Sequence, residues 1–490
     1  MPESQVRAFP SKYQFEAVTS EQVEAVHTHS LEVLERVGIT TSDAKVLQAM
    51  ADSGQKVDFE NSRVRFDPAF VMDKVALAPA HYTLAARSPA NDLPLDGTHC
   101  YLSTDGCPAD VIDLDTGKRR PSTAKDLSDM TRLADYMPEI GVIWQSMSAN
   151  DRPALVRPIH ETRTQWSATS KHIMQMTAVD PFNASGLLEM CEVVAGSKEA
   201  LRERPIMSNF QCILSPLHWE EDPLEAMLLL AEAGIPVGIC SMPLAAATSP
   251  STIAGTIMMA NAEILSGIVV LETMVPGAKT IYISYASAID MITGQLNPAW
   301  GGQELLMESG CAAMGRKYGV PTVKSTMGTG AKSSDWQAGV QNAISAMASM
   351  LFPGDLLTGI GSLHSDVVYS LAGLVLDCEI MEIVADWVEG VGWDDEDFGV
   401  EAVEEVGPGG HFLGTNHTLR HMREFWRSKV MDVSTWEDWE EAGRPDPEAR
   451  ATQEVRRILA EHEPDPLPEG AAAELDRIVE AYERQATEAE

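Results

Sequence analysis

From about residue 100 the chain alternates between short β-branched runs and longer stretches in which apolar residues recur with helical spacing. Each run ends in a turn rich in Gly, Ser, Asn or Pro. Alternating strands and helices produce parallel sheets, and eight such units predict a closed (β/α)8 barrel rather than an open sheet. The eight strand-like runs are residues 100–106, 141–147, 171–177, 205–212, 235–243, 279–287, 320–328 and 355–363.

The sequence predicts helices on both sides of the barrel. Residues 1–98 form a leader with helical periodicity in "SEQVEAVHTHSLEVLERVG", residues 99–391 form the barrel, and residues 392–490 form an extension that ends in a charged helix. We expect the flanks to cap the barrel or to make subunit contacts, so that the protein self-associates.

Composition narrows the class of partner. The formal net charge of −37 at pH 7 repels nucleic acid and anionic membrane surfaces and favours cationic ligands. The longest apolar segment, residues 251–275, is interrupted by Asn261 and Glu263, which indicates a buried helix rather than a membrane span. The first residues lack a charged start followed by an apolar run, so we expect no signal peptide and a cytoplasmic location.

Cysteines and histidines give no metal signature. The seven cysteines are scattered without any CxxC pair, so we expect them to be reduced and mostly buried rather than paired or bound to zinc. His417 and His421 stand four residues apart with His411 before them, but the glutamate of an HExxH zinc motif is missing. We therefore expect no bound metal.

In a (β/α)8 barrel the active site lies at the carboxyl ends of the strands. Here those ends carry neutral hydrogen-bonding groups and lack the paired carboxylates of a sugar or ester hydrolase, which favours binding and orientation over proton transfer. Aromatic residues on or beside the barrel could form a cation–π cage for a quaternary ammonium, although core packing explains each one equally simply. The candidate lining residues are Gln175, Asn209, Gln211, Tyr285, Lys332 and His364, with Trp166 as a wall of the cage.

The turn after the seventh predicted strand, "STMGTGAKSSDWQAG" at residues 325–339, looks at first like a phosphate-binding loop. That motif would require glycines at the positions of Thr326 and Ala331 for Lys332 to act, and both are missing. As a strand-to-helix turn, the segment instead lies on the face where barrel active sites are built.

Three separated motifs, "STDGCPADVIDLDTGKRRPST", "GTGAKSSDWQAG" and "EEVGPGGHFLGTNHTLRHMREFWR", resemble the trimethylamine methyltransferase family, in particular its branch without pyrrolysine. The resemblance covers nearly the whole chain. It implies a (β/α)8 barrel that passes a methyl group from a methylamine or a quaternary amine to the cob(I)alamin of a separate small corrinoid protein. It therefore implies a corrinoid partner and no tightly bound cofactor. Relatives carry a Ser/Thr-Asp-Ala-Lys pattern onto which Thr329, Ala331 and Lys332 map, whereas Gly330 replaces the aspartate.

The absence of pyrrolysine favours a quaternary amine, because a nitrogen that already carries its charge leaves as a neutral amine without general acid assistance. Glycine betaine comes first, with Lys332, His364 or N–H groups at a helix start as partners for its carboxylate. Other betaines, carnitine and choline follow. Three alternatives stay open: a trimethylamine methyltransferase that works without pyrrolysine, a non-catalytic quaternary-amine-binding protein, and a metal-dependent lyase or hydrolase.

Overall fold

The computed structural model describes residues 4–12, 15–106, 108–296 and 301–489. Eight parallel strands pair in chain order, and β8 pairs with β1, so the barrel predicted from the sequence is confirmed with all eight strands in their predicted places. Its strands are β1 (His99–Thr104), β2 (Ile140–Trp144), β3 (His172–Gln175), β4 (Met207–Cys212), β5 (Val237–Ser241), β6 (Thr280–Ser284), β7 (Thr322–Ser325) and β8 (Leu356–Ile360).

Helices follow the barrel strands and extend beyond them at both ends of the chain. The helices before β1 are α1 (Ser20–Arg36), α2 (Ala44–Asp52) and α3 (Pro68–Val75). Those of the barrel are α4 (Ala124–Tyr136), α5 (Arg157–Ala168), α6 (Pro181–Ala195), α7 (Lys198–Glu203), α8 (Glu221–Glu232), α9 (Ile253–Met274), α10 (Gly302–Tyr318), α11 (Trp336–Leu351) and α12 (Leu371–Glu389). After them come α13 (Asp395–Phe398), α14 (Val400–Val406), α15 (Asn416–His421), α16 (Trp436–Glu441), α17 (Pro447–Glu461) and α18 (Ala471–Ala489).

Short strands and single turns complete the fold. The strands outside the barrel are Phe9–Pro10, Ile39–Thr41, Lys56–Asp58, Arg63–Arg65, Tyr82–Leu84, Leu93–Leu95, Asp110–Ile112, Arg119–Pro121, His218–Trp219, Leu244–Ala245, Ser287–Ala288, Ser362–Leu363 and Val368–Tyr369. Two 3-10 turns span Pro89–Asn91 and Ala154–Val156. The pair Phe9–Pro10 adds to the edge of β1, and Val368–Tyr369 joins a small sheet beside the mouth of the barrel.

Successive residues of each barrel strand point to opposite faces, and this alternation separates two apolar layers. One layer fills the lumen with side chains such as Met174, Phe210 and Cys240. The other lies between strands and helices and contains their neighbours in sequence, such as Ile173 and Ile239. Which layer a residue enters therefore depends on its parity along the strand.

Helix α9 is the one helix among the described residues that is long and apolar enough to cross a membrane, and 72% of its most apolar window is buried inside the protein. It packs against α1, α3, α10 and β5. Glu263 in its middle accepts hydrogen bonds from Ser241 Oγ, Ser215 Oγ and the N–H of Leu217, which secures the loop after β4. Its environment is that of a core helix.

The two ends of the chain cover different sides of the barrel. Helix α1 of the leader packs on α9 and α10. Helix α17 of the extension packs on α12 and α4, and α18 packs on α5 and α6. The loops after β1 to β8 form the candidate site at the carboxyl ends of the strands, and Met431 and residues 446–448 of the extension line a cavity with the loops after β7 and β8.

Candidate active site

Three aromatic side chains form a wall inside the barrel near the carboxyl ends of its strands. The rings of Trp144 and Tyr285 stack with centroids 6.2 Å apart and planes 24° apart. Phe210 meets Trp144 edge-on at 4.8 Å and 74°. Trp144 and Phe210 have lumen parity on β2 and β4, and Tyr285 directly follows β6 with the same parity as Ile283. We call these three residues the aromatic wall.

Tyr285 is the member of the wall nearest the mouth. Its side chain is partly exposed, and its hydroxyl forms a 3.2 Å hydrogen bond with Thr358 Oγ1 of β8. Burial raises the pKa of the Tyr285 phenol well above its usual value, so the ring stays neutral. A centroid spacing of 6.2 Å leaves no room for a methylated ammonium between Tyr285 and Trp144. A cation would therefore contact the partly exposed ring of Tyr285 rather than enter between the two rings.

Buried polar atoms around the wall lack partners among the described residues. They include Ser103 Oγ, Asp105 Oδ2 and Trp144 Nε1. Each of these residues is at most 5% exposed. Because an unsatisfied buried polar atom costs about 1–3 kcal/mol, a cluster of three in one lumen indicates a place that takes up a ligand or water.

A carboxyl pair lies beside the wall. Asp105 follows β1 with lumen parity, and its carboxyl lies close to the side chains of Asp366 and Ser362. Burial, and then the neighbouring Asp366, raise the pKa of Asp105 well above its usual value. Ser362 Oγ also donates to Asp366 Oδ1 at 2.5 Å. The sequence predicts strand ends that are poor in paired carboxylates, whereas the closing seam between β8 and β1 brings Asp105 and Asp366 together from the two ends of the barrel sequence.

Asp366 lies in an unusual turn after β8. His364, Ser365 and Asp366 all have left-handed backbone conformations, with φ of 54°, 55° and 63°. The N–H groups of His364 and Ser365 donate to Ala331 O and Thr329 O in the loop after β7. Ser365 Oγ donates to Leu296 O in the loop after β6. Three consecutive left-handed residues without a glycine cost several kcal/mol and persist only where surrounding contacts fix them.

Lys332 and His364 reach the rim of the site but are not free cationic partners for a ligand. Lys332 is exposed, and its ammonium donates to Gly330 O of its own turn at 2.6 Å. Burial, followed by the nearby charges of Lys332 and Arg119, lowers the pKa of His364, so its ring is neutral at neutral pH. The N–H groups at the start of α11 are already capped by the carboxylate of Asp335.

Four other residues predicted as site residues lie away from the lumen. The amide of Gln175 bonds Thr162 Oγ1 of α5 and the N–H groups of Met176 and Thr177. Trp166 of α5 is fully buried in the layer between strands and helices, so it cannot wall a cage in the lumen.

Asn209 and Gln211 of β4 also have the parity that faces the helices. The amide of Asn209 donates to Gln175 O and accepts from Gln211 Nε2, which also donates to Ala178 O. These amides tie β4 to the end of β3 instead of facing the wall. The structure thus brings together Tyr285 at the wall and Lys332 and His364 at the rim, and separates the remaining four.

Among the described residues, the cysteines and histidines form neither a reactive thiolate centre nor a metal site. Six cysteines are free, and Cys107 lies outside the described residues. Burial raises the pKa of the Cys240 thiol well above its usual value, which disfavours a thiolate beside the wall. His417 and His421 stack at 4.4 Å, but the part of the chain that the structure describes contains no group of three or more His, Cys, Asp or Glu residues suited to a metal.

Sequence reasoning missed Ser103 and Asp366 as site residues. Strand parity would have found Ser103, because it lies two residues after Tyr101 and shares its lumen face. No local signal identifies Asp366, whose position depends on the left-handed turn and on three loops that meet there.

Comparisons with known proteins point to one family. The profile described as Trimethylamine methyltransferase (MTTB) matches residues 3–487. The trimethylamine methyltransferase MttB of Desulfitobacterium hafniense (strain DSM 10664 / DCB-2) is 32% identical over 466 residues, covering 95% of this chain and 93% of the relative. The glycine betaine methyltransferase of Desulfitobacterium hafniense (strain Y51) is 30% identical over 473 residues, covering 96% of both chains.

A solved structure agrees with the fold. The crystal structure of the Methanosarcina barkeri monomethylamine methyltransferase (MtmB) superposes with a TM-score of 0.53 and covers 93% of this chain and 89% of that chain. Sequence identity in this alignment is 11%, so the likeness concerns the barrel and its flanking helices alone.

Proposed function

This chain belongs to the trimethylamine methyltransferase family and is a methyltransferase, and on that premise we propose that it moves a methyl group from a small methylated ammonium compound to the Co(I) of a separate corrinoid protein. The methyl carbon exchanges a C–N bond for a C–Co bond. Co(I) supplies the electron pair of the new bond and becomes methyl-Co(III), while the electrons of the C–N bond stay on nitrogen. A quaternary substrate therefore leaves as a neutral amine, and no proton is needed.

The observation that carries this proposal is the aromatic wall. Tyr285 is partly exposed, and the buried rings of Trp144 and Phe210 continue the aromatic surface into the barrel. No general acid is required of such a site, because its work is to bind the cation, remove its water and hold one methyl group toward the partner. This is catalysis by proximity and desolvation.

Several methylated ammonium compounds are candidate substrates. Glycine betaine is the first candidate from the sequence, and a relative named for it matches almost the whole chain. Its carboxylate would need Lys332 to leave Gly330 O, the acceptor that it holds in this structure. Trimethylamine is the second candidate, since protonated trimethylamine carries an N–H that the Asp105–Asp366 pair could accept.

An apolar collar around the mouth supports docking of the corrinoid protein. Exposed apolar side chains follow each strand from β3 to β8, with Ile292 94% and Trp336 83% exposed. Contiguous exposed apolar surface on a folded protein marks an interaction site. The other members of the collar are Val179, Leu214, Met242, Met291 and Val367.

The experiment follows the absorbance change from Co(I) to methyl-Co(III). The purified protein is mixed with a reduced corrinoid protein and with glycine betaine, choline, tetramethylammonium or trimethylamine. Ile292→Asp places a charge in the collar and should slow transfer at least tenfold while leaving binding of the ammonium compound intact. Phe59→Asp, on an exposed aromatic of the leader, is the matched control and should not slow it. Absence of methyl-Co(III) with every compound would refute the proposal.

We also propose that the protein is cytoplasmic and self-associates through its C-terminal extension. Helices α13 to α15 and their loops expose large apolar residues, among them Trp393, Phe398, Leu413, Leu419 and Phe425. A monomer rarely leaves so many exposed together. Light scattering should give a mass above that of one chain, and Leu413→Asp should lower it.

A further inference from the structure

The left-handed turn after β8 has a feature that packing does not explain. Its three residues could relax if the turn contained a glycine, yet the chain keeps Ser365 and Asp366 in place with hydrogen bonds to the loops after β6 and β7. The product of this arrangement is an exposed carboxyl at the mouth that accepts a hydrogen bond from Ser362 Oγ and lies next to Asp105. Strained backbone that is fixed by several loops is typical of a site residue.

The charges around Asp366 leave it available to a ligand. In the part of the chain that the structure describes, no lysine or arginine forms an ion pair with it. The nearest cations are engaged elsewhere, since Lys332 donates to Gly330 O and Arg119 pairs with Asp110. His364 is neutral, and Tyr285 and Tyr369 face Asp105 as neutral phenols. Asp366 is thus a carboxylate beside an aromatic wall that suits a cation.

We propose that Asp366 is the counter-ion of the substrate's ammonium group and that the neighbouring carboxyl of Asp105 positions Asp366. This inference rests on the proposed function and deepens it, because it assigns the ligand class at the mouth as a methylated ammonium cation. Asp105 is a positioning residue that acts through Asp366. The aromatic wall and Asp366 bind the same charge from two sides.

Placing the anion here has a consequence for the reaction. The positive charge on nitrogen diminishes as the methyl group departs, so an anion beside it stabilises the bound substrate more than the transition state. Removing the charge of Asp366 should therefore raise the Kd and KM for the cation without lowering kcat in proportion. A residue with a purely structural role would lower kcat as well.

The binding test uses calorimetry with choline and with 3,3-dimethyl-1-butanol, a neutral compound of the same shape in which carbon replaces nitrogen. Asp366→Asn should weaken choline binding about tenfold, the size expected of a partly screened charge pair, and should leave the neutral alcohol within about twofold. Asparagine tolerates the left-handed conformation, so this variant should keep the melting temperature of the wild type. The matched control is Asp335→Asn, which removes a carboxylate at the same face and keeps a good helix cap.

A double-substitution cycle separates the roles of the two carboxyls. Asp105→Ala should weaken choline binding several-fold, and Asp105→Ala with Asp366→Asn should be no weaker than Asp366→Asn alone, because Asp105 acts only through Asp366. If the loss of choline affinity in the double variant equals the product of the two single losses, the positioning role of Asp105 is overturned. If Asp366→Asn weakens binding of choline and of the neutral alcohol equally, or leaves choline binding unchanged, the role of Asp366 as counter-ion is overturned. If the wild type binds none of glycine betaine, choline, tetramethylammonium and trimethylamine, it is the proposed function that fails.

Discussion

Replacing Tyr285 tests the aromatic wall at its exposed member. Tyr285→Leu removes the π face that points to the mouth and keeps an apolar side chain of moderate volume. Tyr285→Phe keeps the π face and removes only the hydroxyl, which makes a 3.2 Å hydrogen bond to Thr358. The pair of variants separates attraction by the ring from attraction by the hydroxyl.

The magnitude follows from the environment of the ring. A cation over a desolvated aromatic face gains about 2 kcal/mol, which corresponds to roughly a 30-fold change in Kd. Trp144 lies directly behind Tyr285, so the remaining site stays apolar after the substitution and the lost term is mainly the cation–π attraction. Tyr285→Leu should bind choline about 30-fold more weakly than the wild type, and Tyr285→Phe should stay within about threefold.

Calorimetry with choline measures both constants, and thermal unfolding checks that each variant is folded. Trp336→Leu is a suitable control because Trp336 is an exposed aromatic on the same face that does not belong to the wall. Equal affinity of the leucine and phenylalanine variants would refute the reasoning, because it would show that no cation rests on the ring of Tyr285.

Other expectations concern stability. Asp377→Ala leaves the N–H of Gly361 and the amide of Asn342 without their buried acceptor and should lower the free energy of unfolding by about 3 kcal/mol in urea titrations; an unchanged midpoint would contradict this. Burial raises the pKa of Glu161, Glu304 and Asp377 to about 7 each, so the stability they confer when protonated is lost as pH rises through about 7. Urea unfolding should show a drop from about pH 4.5 to about pH 7 that levels off above about pH 8, and a rise would refute it. Gly359→Ala should destabilise by more than about 3 kcal/mol, because φ is +117° and a Cβ would lie 2.7 Å from Met327 N, whereas Gly339→Ala in the open face of α11 should be neutral or stabilising by thermal unfolding.

The barrel could be derived from the sequence because its signal is local. Each β-branched run, its turn and the amphipathic stretch that follows lie within a few tens of residues, and closure follows from counting eight such units. Tyr285 directly follows a strand and has the parity of the lumen, so its position agrees with the strand-end rule, and its role as a site residue stays a prediction.

The site was less accessible to sequence reasoning for two physical reasons. Position at a strand end predicts Gln175, Asn209 and Gln211 as site residues. A shift of one residue along a strand turns a side chain to the other face, however, and all three side chains lie on the helix side. Asp105 and Asp366 come from the first and last barrel strands, and only closure of the barrel with the strained turn after β8 brings their carboxyls together.

The most direct test of the central claim is a single turnover with choline whose three N-methyl groups are all CD3, in which mass spectrometry follows the label. The account expects trideuteromethyl-cobalt on the corrinoid protein and, in equal amount, neutral dimethylaminoethanol in solution. Intact choline and unmethylated cobalt, under conditions in which calorimetry shows choline bound at the wall, would contradict methyl transfer and identify the protein as a binder of quaternary amines.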